Sequence, residues 1–326
     1  MNLKEQICQE LEEHRGEFLS GSELAKRFQV SRNAVWKAIK SLEKEGYEVE
    51  AVTRRGYRLK EENDVLAEAQ IREAMGDMAK GVTIQVMKSV DSTNTELKRQ
   101  ALSGASDQTV LFAEEQTQGK GRRGRSFYSP YGTGIYMSIL LRPQVDGRDA
   151  VLVTTATAVA VSLAIEEVFA CQTTIKWVND VYYRDKKLCG ILTEGISDLE
   201  SGEVDVMIVG IGMNYKTKDF PEEIREFATS LDPESHVPRN VLAGAVLKHF
   251  FKIYQTLSTR DFIQEYKKRS NVLGEEIVYE EAGVTKRALA VDIDRDGGLV
   301  VEEIGDLPVR RTLTTGEITV RVKKKK

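Results

Sequence analysis

Between Gln116 and Arg125 the chain reads Gln-Thr-Gln-Gly-Lys-Gly-Arg-Arg-Gly-Arg, and this stretch restricts the fold more than any other. From Gly119 to Arg125 four of the seven residues are basic and the other three are glycine. Glycine lets backbone N–H groups converge on an anion. Arginine adds planar bidentate donors, and lysine a compact point charge. Alone, such a stretch also reads as a solvated basic loop or an arginine-glycine tract for RNA. Its setting narrows the choice. The strand-like run Thr109–Ala113 precedes it, and Phe127, Tyr128, Pro130, Tyr131 and the apolar run Gly134–Leu141 follow. A charged glycine loop held between two core strands is a ligand clamp on a rigid sheet. It lacks the Gly-Lys-Ser/Thr ending of a Walker loop.

The 326-residue length allows two or three domains. Apolar residues at 41% and charged residues at 30% describe an ordinary globular chain with ample core material. With a net charge of −4, nucleic-acid binding must come from a local patch. Cys8, Cys171 and Cys189 are odd in number, far apart and without metal-ligand spacing, so a reducing, cytoplasmic setting without a signal peptide is expected. The longest uncharged run, Ala150 to Ile165, has 16 residues and four threonine or serine side chains. It reads as a buried helix rather than a membrane span. The three histidines are scattered and suggest no histidine-based triad.

At the N-terminus, Leu3, Ile7 and Leu11 predict a helix over 3–14. Ser22 is read as the cap of a short helix, Glu23 to Phe28. Gln29-Val30 makes a turn, and Ser31 caps a longer helix with Val35, Ile39 and Leu42 on one side. Tyr47–Thr53 alternates, and Arg54-Arg55-Gly56 turns it back through Tyr57 to Leu59. Helix, helix, recognition helix and β-wing is the winged helix-turn-helix order. From Gly21 to Lys60 there are ten Lys/Arg and five Asp/Glu, a locally basic segment in an acidic protein. A helical interaction domain with a solvated charged face fits the same pattern. The basic residues, however, sit on the recognition helix (Arg32, Lys37, Lys40) and the wing (Arg54, Arg55, Arg58), which favours duplex DNA. The expected DNA-facing set is Ser22, Ser31, Arg32, Asn33, Trp36, Lys37, Arg54 and Arg55, with Trp36 partly in the core.

Glu61–Asp64 is a polar joint that closes a first domain of residues 1–64. A helix near Leu66–Met75 opens a second domain, residues 65–270. Its expected elements are Val82–Met87, a helix Thr93–Leu102, Thr109–Ala113, Gly134–Leu141, a helix 150–169, Thr174–Trp177, Cys189–Glu194 and Val204–Met213. Strands joined by short turns indicate a mixed α+β sheet rather than alternating βαβ units. Helices over Leu242–Leu257 and Phe262–Lys268 follow. Residues 271–326 change character. Short strands at Glu276–Glu280, Lys286–Ile293, Gly298–Glu302, Val309–Leu313 and Glu317–Val322, with turns such as Asp296-Gly-Gly298, predict a small β-barrel ahead of a soluble Lys323–Lys326 tail.

Four more motifs carry chemistry in the second domain. Asp91-Ser-Thr-Asn94 is a good helix N-cap, and equally a set of hydroxyls and free N–H groups for a polar ligand. Lys176-Trp-Val-Asn-Asp180 ends an apolar run with an amide and a carboxylate, either a turn starter or a holder of nucleotide-bound Mg²⁺. Lys187 opens the run Lys-Leu-Cys-Gly-Ile-Leu192, as solvated surface or as a cation aimed into a pocket. Val209-Gly-Ile-Gly-Met-Asn214 is a strand whose small residues let something pack against bare backbone.

Together these motifs resemble one family closely. Gly119–Arg125 after Ala113-Glu-Glu-Gln116, with Asp91–Asn94 before it and Trp177–Asp180, Lys186–Leu192 and Gly210–Asn214 after it, is similar to the biotin–protein ligases. The winged helix in front makes the chain similar to the bifunctional form that also represses biotin-synthesis genes. The resemblance spans essentially the whole chain. It implies a multidomain α+β fold: a winged helix-turn-helix, a central mixed α/β domain of the biotin/lipoate ligase type, and an SH3-like β-barrel. Two residues depart from the family pattern: Val178 replaces a proline, and Phe127 stands where tryptophan is expected.

The resemblance implies that biotin and ATP form biotinyl-5′-AMP, which a lysine of the biotin carboxyl carrier domain then attacks. Ser92, Thr93, Asn94 and Gln116 would bind the ureido head. Lys120, Gly121 and Arg122 would wrap the carboxylate and the adenylate phosphate, with Lys187 beside the reacting oxygens and Gly190 clearing the tail. Asn179 and Asp180 would orient ATP and Mg²⁺, and Gly119, Arg123, Arg125, Phe127 and Asn214 complete the adenylate side. The catalytic set is Lys187, Arg122 and Asp180, fixed charges that lower the repulsion between two anions. The glycine loop would order on ligand and exclude water. One winged helix reads only a half-site, so a ligand-promoted homodimer on palindromic operator DNA is expected. Gly134–Leu141 and Val204–Met213 are the strands expected to pair across its two-fold axis and to dock the carrier. Two other readings compete: a DNA-binding regulator that senses a small anion without catalysis, and a lipoate–protein ligase. The cluster of Lys187, Asp180 and Arg122 opposes the first, because sensing needs no metal-orienting carboxylate. The winged helix and the Arg-Arg-Gly-Arg loop favour biotin over lipoate.

Overall fold

A computed structural model of the chain describes residues 2–60, 64–143, 149–197, 204–232, 234, 236–281, 283–305, 309–314 and 318–320. The expected Lys323–Lys326 tail, positions 61–63 of the polar joint and positions 317, 321 and 322 of the last expected strand lie outside the described residues. The first unit comprises α1 (Leu3–Glu13), α2 (Gly21–Arg27), α3 (Arg32–Glu45) and a hairpin of β1 (Val49–Val52) with β2 (Gly56–Leu59). Ile7, Leu11, Leu24, Val35, Ile39, Leu42 and Leu59 close a core of its own. Asn2 caps α1 in a capping box with Glu5, and the Ser31 hydroxyl accepts from Ala34 N (3.1 Å) at the start of α3. Ser22 is not a cap. The helix begins at Gly21, and extended Ser20 accepts the Ser22 N–H (3.3 Å). Two serines flank the glycine, but a cap must precede the first helical residue.

The central unit opens with α4 (Glu68–Met75), β3 (Thr83–Met87), α5 (Thr93–Leu102), β4 (Thr109–Ala113) and β5 (Gly134–Leu141). Then come α6 (Asp149–Phe169), β6 (Thr174–Lys176), β7 (Asp180–Tyr183), β8 (Lys186–Ser197) and β9 (Val204–Asn214). Helices α7 (Glu222–Arg225), α8 (Arg239–Gln255) and α9 (Phe262–Arg269) complete it. The seven strands run in the order β3-β4-β5-β9-β8-β7-β6, parallel between β3 and β4 and antiparallel elsewhere. Helices α4, α6 and α8 pack on one face with Ile135, Met137, Ile139 and Leu141. Helix α5 covers part of the other, with Leu97 against Leu111, Leu140, Val206 and Ile208. Burial on both faces makes β5 an unbroken apolar run. Helix α6 is long and apolar enough to cross a membrane, but it is mostly buried in this core. Its Thr154, Thr155 and Thr157 donate back to helix carbonyls at 2.7–2.9 Å.

The strands expected to pair across a dimer axis are not edges. β5 and β9 pair with each other from Gly134↔Asn214 to Leu141↔Met207, between β4 and β8. Their two-sided burial is the mark of an interior strand.

The C-terminal SH3-like unit is a five-stranded antiparallel sheet of β10 (Glu276–Glu281), β11 (Val284–Ile293), β12 (Leu299–Glu303), β13 (Arg310–Leu313) and β14 (Ile318–Val320). Its inward residues Ile277, Ala288, Ile293 and Val301 join the same apolar cluster as α6 and α9. The Trp177 indole N–H donates to Gly297 O (2.9 Å), and Lys267 pairs with Asp292 (2.6 Å). At the other end, buried Arg239 ties the joint to the central sheet. It donates to Gly134 O (3.0 Å), to Glu114 (2.7 Å) and to the Asp64 carbonyl, while its backbone N–H reaches the Asp64 carboxylate (2.7 Å).

Candidate active site and DNA-binding face

Strand registers build the floor of the site. Tyr136, Gly212, Gly190 and Asp180 stand side by side on β5, β9, β8 and β7, and Ser138, Gly210 and Leu192 form the adjacent row. The glycines leave a bare trough in the sheet. A methyl on Gly212 would lie 2.7 Å from the Phe127 ring, and one on Gly210 2.2 Å from Asn94 Oδ1. The cavity above the floor holds about 230 Å³.

One end is lined by polar, uncharged side chains. Gln116 Oε1 accepts the Thr93 N–H (2.9 Å) and hydroxyl (3.1 Å), and Gln116 Nε2 donates to Ser129 (2.9 Å). Ser92 occupies the N-cap position of α5 but makes no capping bond, so the loop supplies the cap that Asp91–Asn94 alone was expected to provide. Ser138 Oγ lies 2.7 Å from Thr93 Oγ1 and 2.6 Å from Asn94 Oδ1. The Asn94 amide donates to Leu192 O (3.2 Å) and to Glu194 (2.7 Å), which also takes the Lys98 ammonium.

The other end is charged. Lys187 Nζ pairs with Asp180 Oδ1 (2.8 Å), Asn179 Nδ2 donates to the same oxygen (3.0 Å), and Arg122 donates to Asn179 Oδ1 (2.9 Å). Lys187 is itself held by backbone bonds with Phe227 (2.7 Å) and Thr229 (3.0 Å). The basic loop is a hairpin, closed by Gly121 N to Arg125 O (2.7 Å) and Phe127 N to Gly119 O (2.8 Å). Thr117 and Gln118 stitch it to Val90 and Asp91 (2.9 and 2.8 Å). The Phe127 ring lies over Gly212 near Gly190 and meets Tyr136 edge-on at 6.5 Å. Burial pushes the Tyr136 phenol up to about 12. The Trp177–Val178 peptide is cis, and the Val178 carbonyl accepts the Tyr266 hydroxyl (3.1 Å).

The cavity is lined by Ser92, Thr93, Asn94, Gln116, Lys120, Gly121, Arg122, Arg125, Phe127, Asn179, Asp180, Lys187 and Gly190. Gly119, Arg123 and Asn214 do not line it. Gly119 lies buried at the base of the hairpin, Arg123 is exposed at its tip, and the carbonyl of buried Asn214 accepts from Leu231 N (3.0 Å). Trp177, Leu192, Gly210 and Gly212, each within a motif noted above but outside the expected set of site residues, also line it, and so does Ile318. The two-residue spacing of Gly210 and Gly212 signals one sheet face. Nothing in the sequence signals Ile318, which comes from the C-terminal sheet.

On the first unit, α3 exposes Arg32, Asn33, Trp36 and Lys37 on one side. Trp36 is 48% exposed, not partly core, because Val35, Ala38, Ile39 and Leu42 already fill the inward stripe. Ser22 is exposed in the first turn of α2, and Arg54 (φ 68°) and Arg55 are exposed at the wing.

Residues 86–214 match the biotin/lipoate A/B protein ligase family, and residues 4–58 match an HTH domain. The chain is 37% identical over 264 residues to the bifunctional ligase/repressor BirA of Bacillus spizizenii, across 80% of this chain and 81% of that one. It is 26% identical to BirA of Escherichia coli across 94% of each chain. A biotin protein ligase from Aquifex aeolicus, solved with biotin and ATP, aligns at a TM-score of 0.62 and 31% identity over 74% of this chain and 99% of that one. The chain belongs to the biotin/lipoate protein ligase family. Its HTH domain places it among the bifunctional ligase/repressors.

Proposed function

We propose that the protein joins biotin to ATP as biotinyl-5′-AMP, passes biotin to a lysine of a biotin carboxyl carrier domain, and represses biotin-synthesis genes with the adenylate as corepressor. The observation that carries this reading is the bonded path Lys187–Asp180–Asn179–Arg122 closing one end of a glycine trough whose other end is lined by polar, uncharged side chains. Biotin's ureido head meets Ser92, Thr93, Asn94 and Gln116, and its tail crosses the glycines with the carboxylate toward Lys120, Arg122 and Lys187. A carboxylate oxygen attacks the α-phosphorus of ATP, the bond to the bridging oxygen breaks, and pyrophosphate leaves. Lys187 and Arg122 place positive charge where the two anions meet. The carrier's neutral lysine amine then attacks the anhydride carbonyl and AMP departs. Asp180 offers a single carboxylate, and no cluster of three or more potential ligands occurs among the described residues. That donor set suits Mg²⁺ brought on ATP phosphates, where it supplies charge neutralisation. Pyrophosphate release with ATP and either biotin or lipoate is the test. Biotin alone should support it, and Lys187→Ala should slow it by about 100- to 1,000-fold while staying folded. Release with lipoate but not biotin, or an unimpaired variant, overturns the assignment.

For DNA, α3 offers Arg32, Asn33, Trp36 and Lys37 to base edges, with Ser22, Ser31, Arg54 and Arg55 to the backbone. A dimer reads both half-sites in the cytoplasm. Its edge is the outer half of β8: β9 pairs along β8 as far as Ser197, whereas β7 covers only Lys186–Gly190. Carrier and second subunit would compete for that edge. Residues 1–64 carry the operator function, although Asp64 packs with the ligase unit and belongs with it in any truncation.

A further inference from the structure

Phe18 and Leu19, between α1 and α2, run antiparallel beside β2. Leu19 N donates to Tyr57 O (2.8 Å) and Tyr57 N to Leu19 O (2.9 Å). The approach is so close that a methyl on Gly56, at φ +109°, would lie 2.0 Å from the Leu19 carbonyl oxygen. Only glycine fits there. This packing brings the Phe18 ring to the wing arginines. The guanidinium carbon of Arg55 stands 4.0 Å from the ring centroid, and that of Arg58 4.7 Å. The two cations are not equivalent. Arg58 is ion-paired with Glu50, its cross-strand neighbour, so its charge is locally neutralised. Arg55 is exposed and, among the described residues, has no carboxylate within ion-pair distance. A guanidinium seated on a ring face is attracted by the ring while its N–H edge stays open to another acceptor.

We infer that Phe18 is a positioning residue for DNA binding: it seats Arg55 with its donors open to one backbone phosphate of the duplex. Holding the side chain in place beforehand reduces the rotamer freedom lost on contact. The inference rests on the reading that the wing touches DNA.

The test uses the full chain and a labelled, mixed-sequence duplex, with affinity measured across a salt series. Arg55→Gln should flatten the plot of log affinity against log salt by about 0.9, the signature of one phosphate contact. Phe18→Leu, which keeps the bulk but removes the ring, should flatten it similarly and weaken binding about three- to fivefold. Biotin-dependent pyrophosphate release should be unchanged. Phe18→Tyr should restore both slope and affinity, and Phe18→Leu should add nothing in the Arg55→Gln background. If Arg55→Gln leaves the slope unchanged, the wing does not meet phosphate and the inference goes with that reading. If Arg55→Gln flattens the slope and Phe18→Leu does not, or if Tyr fails to rescue, Phe18 merely fills space.

Discussion

Glu194 fastens the polar end of the trough to β8. Burial pushes its pKa up, but bonds from Lys98 and Asn94 outweigh this and hold it below its ordinary value of 4.5. A carboxyl with a depressed folded pKa adds stability that is full above the unfolded value and is lost as pH falls through the folded one. Glu194→Gln should therefore flatten the fall in melting temperature below about pH 4.5. It should also raise the biotin KM about fivefold, because the Asn94 amide loses a charged acceptor. An unaltered acid limb in thermal scans would count against this clamp. Asn94, which lines the cavity, was readable as a candidate for the site, but its holder, 100 positions further along the chain, was not. The two departures from the family pattern find their places too. Phe127 covers the glycine floor with a smaller ring, and Val178 is held through its carbonyl by Tyr266.

Among the elements, helices and long apolar strands were legible from periodicity, and the expected Thr93–Leu102, Thr109–Ala113 and Gly134–Leu141 coincide with α5, β4 and β5. Strand β7 was not legible. It is four residues long, and it joins β8 through Arg184-Asp185, both at positive φ (50° and 60°). A two-residue hairpin of this kind usually advertises itself with Asn-Gly, so Arg-Asp disguised the turn. The pairing Tyr183↔Lys186 closes it, and this hairpin sets Asp180 against Gly190 and within reach of Lys187. Asp185→Gly should relieve the left-handed backbone and stabilise the protein by about 0.5–1 kcal/mol, after allowing for the freer unfolded chain. The turn does not line the cavity, so ligase activity should hold. A lower melting temperature would show that Asp185 is held by more than its backbone. Sheet order was beyond reach for a related reason: β9 sits beside β5 because of a long-range pairing that no local signal encodes.

At the scale of the molecule, the three sequence segments do not keep a core each: the C-terminal sheet shares the main apolar cluster of the ligase unit, α5 closes a smaller one on the other face of the same sheet, and the first unit has its own. Arg239 and Asp64 bind the winged-helix joint to strand β5, and Glu114 also accepts from Leu66 N (2.7 Å). A ligand that orders the Gly119–Arg125 hairpin thus acts only a few residues from this joint. Sedimentation at fixed salt should show biotin plus ATP shifting monomer toward dimer, and added carrier domain reversing the shift. A monomer–dimer balance indifferent to ligand would remove the coupling and leave the ligase chemistry intact. The chain has only two tryptophans, and they stand in different units: Trp36 is exposed on α3, and Trp177 is buried at the cavity wall with its N–H on Gly297. Tryptophan emission from this protein is therefore the sum of a wet, red-shifted indole that duplex DNA would quench and a dry, blue-shifted one that would respond to nucleotide. Replacing either with phenylalanine leaves an intrinsic optical reporter for the other activity, with no label attached.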